Sequence, residues 1–506
     1  MSSATPERTA PISVTESQRA ASAPYARAER TAPYWPLFRS RVPVAALRYA
    51  AAGGLAVILA ILAYTSVRAI RVHAPDFEYF YKGGAVLYDR GALDPGFDRD
   101  FQGNLVRRGT IEWYLPFVSR LMTLFGWMPQ PAAGGVWLAM NVLGVVVLLR
   151  LIGRYLVGLP RRDWPAVMFL PFVALLVFWY WEFRLNQIDI LTMLLLVGGF
   201  VCWQKRKHTA AGFWLGFAIL LKLTPGLIAI WFLLKRQFRT VAAAAATVIL
   251  AGPVGDLVAF GPEQTADYYR AWVHNAVSEG SHRGLILDQR EMDWRNQSLS
   301  AVASRWLHPT NYNTHFDNDP RIRFDWDPRY LNVANLPRDA IVVIVTGAIG
   351  VLLLGLCWLA RKPANKLTLW QLRLEWALFF LAMLWFMPVM RRYHLVWTLP
   401  AFSVLGACVH YLGLRSGWAW AALCGPLAIL ASQLLLLTKF GTVTNTAEGM
   451  GVLLAGAVAL GLPIVALLVR LGRDPELLPQ DVYVRRHPVR GAGATAVSAG
   501  AAPAPA

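Results

Sequence analysis

Little in this sequence could hold a metal, a disulfide or a nucleotide. Its four cysteines, Cys202, Cys357, Cys408 and Cys424, all sit inside apolar segments, where a thiol behaves as a small hydrophobe. Neither a disulfide framework nor a zinc spacing is present. There is no Cys/His cluster, no glycine-rich phosphate loop beside a strand and no Ser/His/Asp arrangement, so no metal, nucleotide or other cofactor is indicated. Charge is thin as well: 16% of the 506 residues are Asp, Glu, Lys or Arg against 56% apolar, and mean hydropathy is +0.41.

What is there is a succession of apolar runs long enough to cross a bilayer, which needs about 20 residues per helix. The composition therefore reads as an all-α polytopic membrane protein. The first run begins only near Val44, behind a tail rich in Ser, Thr, Ala and Arg, and its length suits an anchor better than a cleavable signal. Residues 1–43 read as a disordered cytoplasmic tail, 44–470 as the membrane domain, and 471–506, Ala/Gly/Pro-rich at its end, as a second cytoplasmic tail. The net charge of +19 comes from Lys and Arg gathered in short loops between the runs. That distribution speaks for topology rather than for nucleic acid.

With Arg39 and Arg41 inside, the span Val44 to Ala69 delivers a long loop, Arg71 to Trp113, to the outer face. Leu115 to Met128 is too short to cross and reads as interfacial or re-entrant. Spans then follow at Ala132–Val157, Trp164–Trp181 and Ile188–Trp203, with Arg161 and Arg162 inside and the patch Glu182 to Asp189 outside. Ala210–Leu221 rises to an outer break at Lys222-Leu223-Thr224-Pro225, and Gly226–Leu234 returns to Lys235, Arg236 and Arg239 inside. Val241–Phe260 leads out to the largest polar segment, Gly261 to Arg338. Ile341–Ala360, Leu369–Pro388, Leu395–Leu414, Trp418–Leu437 and Gly451–Arg470 bring the count to about twelve membrane helices. On this map Asp76, the Glu182–Asp189 patch, Lys222, the large polar segment and Arg391-Arg392-Tyr393-His394 share the outer compartment, which suggests a site.

Asp76 is a candidate general base; the plain alternative is a solvated loop acid. Glu78 carries the same ambiguity, and on a helix its side chain would point about 200° away from that of Asp76. Arg391 and Arg392 run against the positive-inside bias, and their guanidinium forks suit a lipid phosphate or pyrophosphate; snorkelling to headgroups is the alternative. His394 is either a proton carrier or a hydrogen-bond donor. Lys222, before a proline break near membrane depth, is a functional candidate, against a snorkelled helix-end lysine. Gln187 and Asp189, with Asn186, could grip sugar hydroxyls or join helices. Asn296 and Gln297, beside Trp294, form another combination suited to carbohydrate.

These elements, in order, resemble glycosyltransferase family 87, a group of GT-C-type enzymes that use polyprenyl-phosphate sugars. The matching pieces are Asp76-Phe77 with Tyr79, Gly83 and Leu87-Tyr88; Tyr114-Leu115-Pro116; the Gln187 patch; Gly212 through Lys222 and Pro225; Asn296-Gln297-Ser298-Leu299; and Pro388 through His394-Leu395. The family's Gly-Gln-x-Asn is here Asn186-Gln187-Ile188-Asp189, its Tyr-Pro-Pro is Tyr114-Leu115-Pro116, and its Ser-Trp-x-His-His is Met390-Arg391-Arg392-Tyr393-His394. The resemblance implies a GT-C-type fold with two large extracytoplasmic loops and a plasma-membrane location. It implies transfer of a sugar, mannose or another hexose by preference with arabinofuranose not excluded, from a polyprenyl-phosphate donor to a lipid or glycan acceptor. Asp76 would be the base. Lys222, Arg391, Arg392 and His394 would bind the donor phosphate, and Glu78, Tyr79, Gln187, Asp189, Asn296 and Gln297 the substrates. A transporter or flippase would also explain an intramembrane lysine and broken helices, but no second copy of the Lys-x-x-Pro break is present.

Overall fold

The computed structural model describes residues 44–72, 75–93, 97–99, 105–107, 114–158, 164–289, 291–313, 327–436 and 441–478. The tail 1–43, residues 479–506 of the second tail and the pair Arg161-Arg162 lie outside the described residues.

Helix α1 (Val44–Val72) is the first apolar run, and α2 (Pro75–Arg90) opens the loop that follows it. Proline suits the first position of α2 because its missing N–H would have no intrahelical partner there. Phe77 is buried and lies against the rings of Tyr81 and Trp137, with centroids 6.0 and 6.3 Å away. A small antiparallel ribbon, β1 (Phe97–Arg99) with β2 (Leu105–Arg107), follows. Helix α3 (Pro116–Gly126) is the short apolar segment, far from a full crossing. Helix α4 (Gln130–Leu151) runs on through a π turn, Ile152–Val157.

The single span expected at Trp164–Trp181 is two helices, α5 (Trp164–Ala174) and α6 (Leu176–Leu185), bent by 71°. The chain tightens to a three-residue bond, Leu175 N–H to Phe172 C=O, and restarts. A uniformly apolar stretch carries no periodicity that would reveal such a bend. Then come α7 (Asp189–Gln204), α8 (His208–Leu221), α9 (Gly226–Leu234) and α10 (Phe238–Ile249), the last continuing through Leu250–Val254 into α11 (Gly255–Phe260). Helices α8 and α10 touch at Gly212 and Gly216. A Cβ on the first would fall 2.3 Å from the Thr240 carbonyl oxygen, and on the second 2.5 Å from Thr247 Cβ.

The large polar segment is substantially helical rather than an open loop, with α12 (Pro262–Trp272), α13 (His282–Asp288) and α14 (Leu299–Leu307). Helices α15 (Arg338–Leu359), α16 (Leu369–Trp385), α17 (Leu399–Leu412), α18 (Gly417–Leu436), α19 (Gly441–Gly449) and α20 (Val452–Arg473) complete the order. A 3-10 segment, Arg392–Thr398, precedes α17.

Among the described residues seven helices are long and apolar enough to cross a membrane, eight with the bent pair taken as one span. The architecture is that of a multi-pass, essentially all-helical membrane protein. The larger count expected from sequence also takes in α7, α8, α9 and α16, each shorter than the roughly 20 residues of a full crossing. Helix α16 is the hub: all its residues are buried, and α9, α17 and α20 pack around it. Near its start, Lys235 pairs with Glu375 and donates to the carbonyls of Ala360 and Lys362 at 2.7 and 2.8 Å. Past its other end, residues 388–394 meet the polar groups described next.

Candidate active site

The left-handed residue that ends α6 sets the site's backbone. Asn186 has φ 53° and ψ 50°, a conformation open mainly to glycine and asparagine. This is how an asparagine can stand where the family pattern has glycine. Its amide is locked by Asn141 Nδ2 at 3.1 Å and by the Gly134 carbonyl at 3.1 Å. The turn places Gln187 so that its amide donates to the Asp76 carboxylate. Two residues on, Asp189 opens α7, where the positive end of a helix favours a carboxylate. Glu182 is also buried and accepts from the Ile190 N–H at 3.3 Å, capping the same helix start.

Burial raises Asp76 to about 6, against the Gln187 hydrogen bond and the Arg391 and Lys222 charges, which favour its ionised form. Burial, followed by the charges of Asp189 and Asp76, pushes the Tyr114 hydroxyl well above its ordinary value, so it remains a neutral OH. Asp76 is thus a carboxylate ionised at neutral pH yet basic enough to accept a proton.

Lys222 caps α8 in extended conformation. Its ammonium pairs with the buried Asp189 and sits 5.7 Å from the centre of the Trp397 ring. His394 Nδ1 accepts the Arg391 main-chain N–H at 2.9 Å, so in the neutral imidazole the proton is on Nε2. That nitrogen lies 3.9 Å from Asp189 Oδ2. Asp76, Gln187, Asp189, Lys222 and His394 therefore form one cluster.

The arginines are held by acids. Arg391 Nη1 donates to both oxygens of Asp293 at 2.9 and 3.2 Å, and Nη2 pairs with Glu291. Burial works against the Asp293 charge, but Arg391 and Arg295 hold its pKa well below the usual range. Arg392 forks onto Glu448, with its guanidinium 5.4 Å from the Trp181 ring centre and 5.3 Å from that of Trp294.

The remaining residues singled out from sequence have these partners. Glu78 pairs with Lys82 one turn along α2 at 2.5 Å, and the Tyr79 ring lies edge-on to Phe80. Asn296 and Gln297 are fully buried. Asn296 donates to the Glu291 carbonyl at 2.8 Å and accepts from the Met390 N–H at 3.0 Å. Gln297 donates to the Trp294 and Glu448 carbonyls at 2.7 and 2.8 Å. These amides stitch the 291–298 segment to 388–390 and to α19. Sequence reasoning missed Glu291, Asp293 and Glu448. The alternation Glu291-Met292-Asp293-Trp294-Arg295 was a usable charge pattern, whereas Glu448 is a lone acid between two apolar runs.

Similar proteins add a family context. A polyprenol-phosphate-mannose-dependent alpha-(1-2)-phosphatidylinositol mannoside mannosyltransferase of Mycolicibacterium smegmatis is 27% identical over 213 residues, 40% of this chain and 44% of that protein. Its namesake from Mycobacterium tuberculosis is 30% identical over 179 residues, 32% of this chain and 39% of that protein. The chain thus aligns with less than half the length of the curated relatives it matches. The sequence model of glycosyltransferase family 87 matches residues 113–384, leaving Asp76 and Arg391 to His394 outside the matched stretch. That match covers more than half of the 506 residues, and the chain belongs to glycosyltransferase family 87.

Proposed function

We propose that this protein transfers a sugar, mannose or another hexose by preference, from a polyprenyl-phosphate donor to a hydroxyl of a lipid or glycan acceptor, with inversion and with Asp76 as general base. The reading places the reaction at the extracytoplasmic face of the plasma membrane. The observation that carries it is the Asp76 carboxylate, raised to about 6 by burial, hydrogen-bonded to Gln187 and lying in the field of Lys222 and Arg391. Family membership and the lipid-linked mannose donor and lipid acceptor in the relatives' names support the same reading.

In the proposed step Asp76 removes the proton from the acceptor hydroxyl as its oxygen attacks the anomeric carbon. The bond from that carbon to the phosphate oxygen breaks, and polyprenyl phosphate leaves as an anion. A phosphate leaving group needs no protonation, so one base suffices where glycoside hydrolysis needs a paired acid. Lys222 stabilises the growing phosphate charge, with His394 Nε2–H as a second donor. Asp189 holds Lys222 in place when the donor is absent. Arg391 and Arg392, each already engaged by carboxylates, supply oriented N–H groups and positive field rather than free cations. Glu78 and Tyr79, on the first turns of α2, are assigned to the acceptor side, and Asn296 and Gln297 to the shape of the wall behind it.

The test is transfer of radiolabelled mannose from polyprenyl-phosphate mannose to membrane acceptors by wild type and by Asp76→Asn, with polyprenyl-phosphate arabinose in parallel. Transfer by wild type that is lost in the variant, with expression and donor binding retained, supports the assignment. A variant as active as wild type overturns Asp76 as base, and no transfer with either donor overturns the reaction.

A further inference from the structure

Arg305 lies outside the cluster of Asp76, Gln187, Asp189, Lys222 and His394 and is fully buried on α14. A buried guanidinium is costly unless its N–H groups are engaged; here Nε and Nη1 bind main-chain carbonyls on two separate segments, while Nη2 has no hydrogen-bond partner among the described residues. Nε donates to Gly449 O at 2.7 Å, while Nη1 donates to Met292 O at 3.2 Å and Asp293 O at 2.8 Å. The first segment carries Glu448, which grips Arg392; the second carries Asp293, which grips Arg391.

The contacts to α19 have a common logic. The last carbonyls of a helix lack an intrahelical donor, and here those of Glu448 and Gly449, with that of Met450 just past the end, accept from side chains of the α14 region. Gln297 Nε2 donates to Glu448 O at 2.8 Å, Arg305 Nε to Gly449 O at 2.7 Å, and Trp306 Nε1 to Met450 O at 3.2 Å. A cation at this end also complements the negative end of the helix dipole. The chain then turns away through Gly451 at φ 86°, where a Cβ would fall 2.8 Å from the Val302 side chain. Helix α14 and the end of α19 are therefore in direct contact, with Arg305 bridging on to 292–293.

We infer that Arg305 is a positioning residue: one fork sets the two backbone segments whose carboxylates aim Arg391 and Arg392 at the donor phosphate. The inference rests on the donor-phosphate reading above. Removing the fork frees Asp293 and Glu448 to shift together, and both arginines lose their aim. A lysine keeps the charge but offers a compact ammonium that cannot reproduce the fork.

The experiment uses the full chain in nanodiscs, as wild type, Arg305→Met and Arg305→Lys. It measures KM and kcat for polyprenyl-phosphate mannose and, separately, the Kd of polyprenyl phosphate. The expected result is a donor KM and a Kd raised about tenfold in Arg305→Met, more than kcat falls, as for loss of binding shared by ground and transition states. Asp293→Asn should raise donor KM similarly, and the double variant should add little, because both act on one network. Arg305→Lys should lie between wild type and Arg305→Met, and it carries the test if the methionine variant does not accumulate. A merely structural role would lower the active fraction, giving a reduced apparent kcat at wild-type KM and Kd, and that result overturns the inference. If wild type transfers no mannose the catalytic reading fails, and the Kd comparison still decides whether Arg305 shapes a phosphate site.

Discussion

Gln187 donates its side-chain amide to the carboxylate of Asp76, joining residues 111 apart in sequence at one point of the site. The contact holds the carboxylate in one orientation while burial makes it more basic. Glu78, two residues on, is engaged by Lys82 instead. Asp76→Asn should therefore lower transfer by about 10²- to 10⁴-fold, the range for losing a general base, while Glu78→Gln, at saturating acceptor, stays within a few-fold of wild type. Initial rates at saturating donor measure this, and equal losses in the two variants would dissolve the distinction between the acids.

The pH dependence follows with a definite sign. A base at Asp76 would act only when ionised, and burial has raised its pKa to about 6. Transfer should be flat above pH 7 and fall on the acid side, to roughly a tenth of its plateau one unit below the pKa. Gln187→Leu removes a hydrogen bond that favours the charged carboxylate, which raises the pKa further. The acid limb should then move to higher pH. An unmoved limb would mean that a group other than Asp76 governs it.

Much of this site is visible in the sequence because its parts sit at helix ends. Pro75-Asp76, Asn186 to Asp189, Lys222 before Pro225, and Arg391 to His394 each interrupt an apolar run with groups a membrane helix does not carry idly. Which partners meet was not legible. Nothing in the spacing of Asp189 and Lys222 announces their ion pair, and the amides of Asn296 and Gln297 face main-chain carbonyls that only the folded chain brings to them. Glu448 was missed for the same reason, its partner being 56 residues upstream. The bend at Leu175 was hidden by an apolar surround, which fits a straight helix and a broken one equally well.

The Asp189–Lys222 pair predicts a separation of stability from activity. Both side chains are nearly inaccessible, 0% and 9% exposed, and removing one partner of a buried pair leaves an uncompensated charge costing about 3–5 kcal/mol. Lys222→Met should be destabilised and unable to bind polyprenyl phosphate. Adding Asp189→Asn should recover much of the thermal stability, since no lone charge remains, without recovering donor binding. Thermal unfolding and ligand binding on the same preparations read the two effects. Restored donor binding in the double variant would rule out Lys222 as a phosphate ligand.

A second buried pair supplies the opposite case, stability without catalysis. Lys235 and Glu375 are 0% and 4% exposed, and Lys235 also donates to the carbonyls of Ala360 and Lys362 at 2.7 and 2.8 Å. From Glu375 to Trp385 helix α16 advances about 15 Å, so this pair lies at the end away from Asp76 and Lys222. Lys235→Met strands the Glu375 carboxylate and should cost about 3–5 kcal/mol, whereas Lys235→Met with Glu375→Leu replaces the pair by apolar groups and should regain most of that loss. Donor KM should equal that of wild type in both, with only the thermolabile fraction changing. A raised donor KM in the thermally recovered double variant would show that this end of α16 reports to the site, a coupling that the contacts around the pair do not call for.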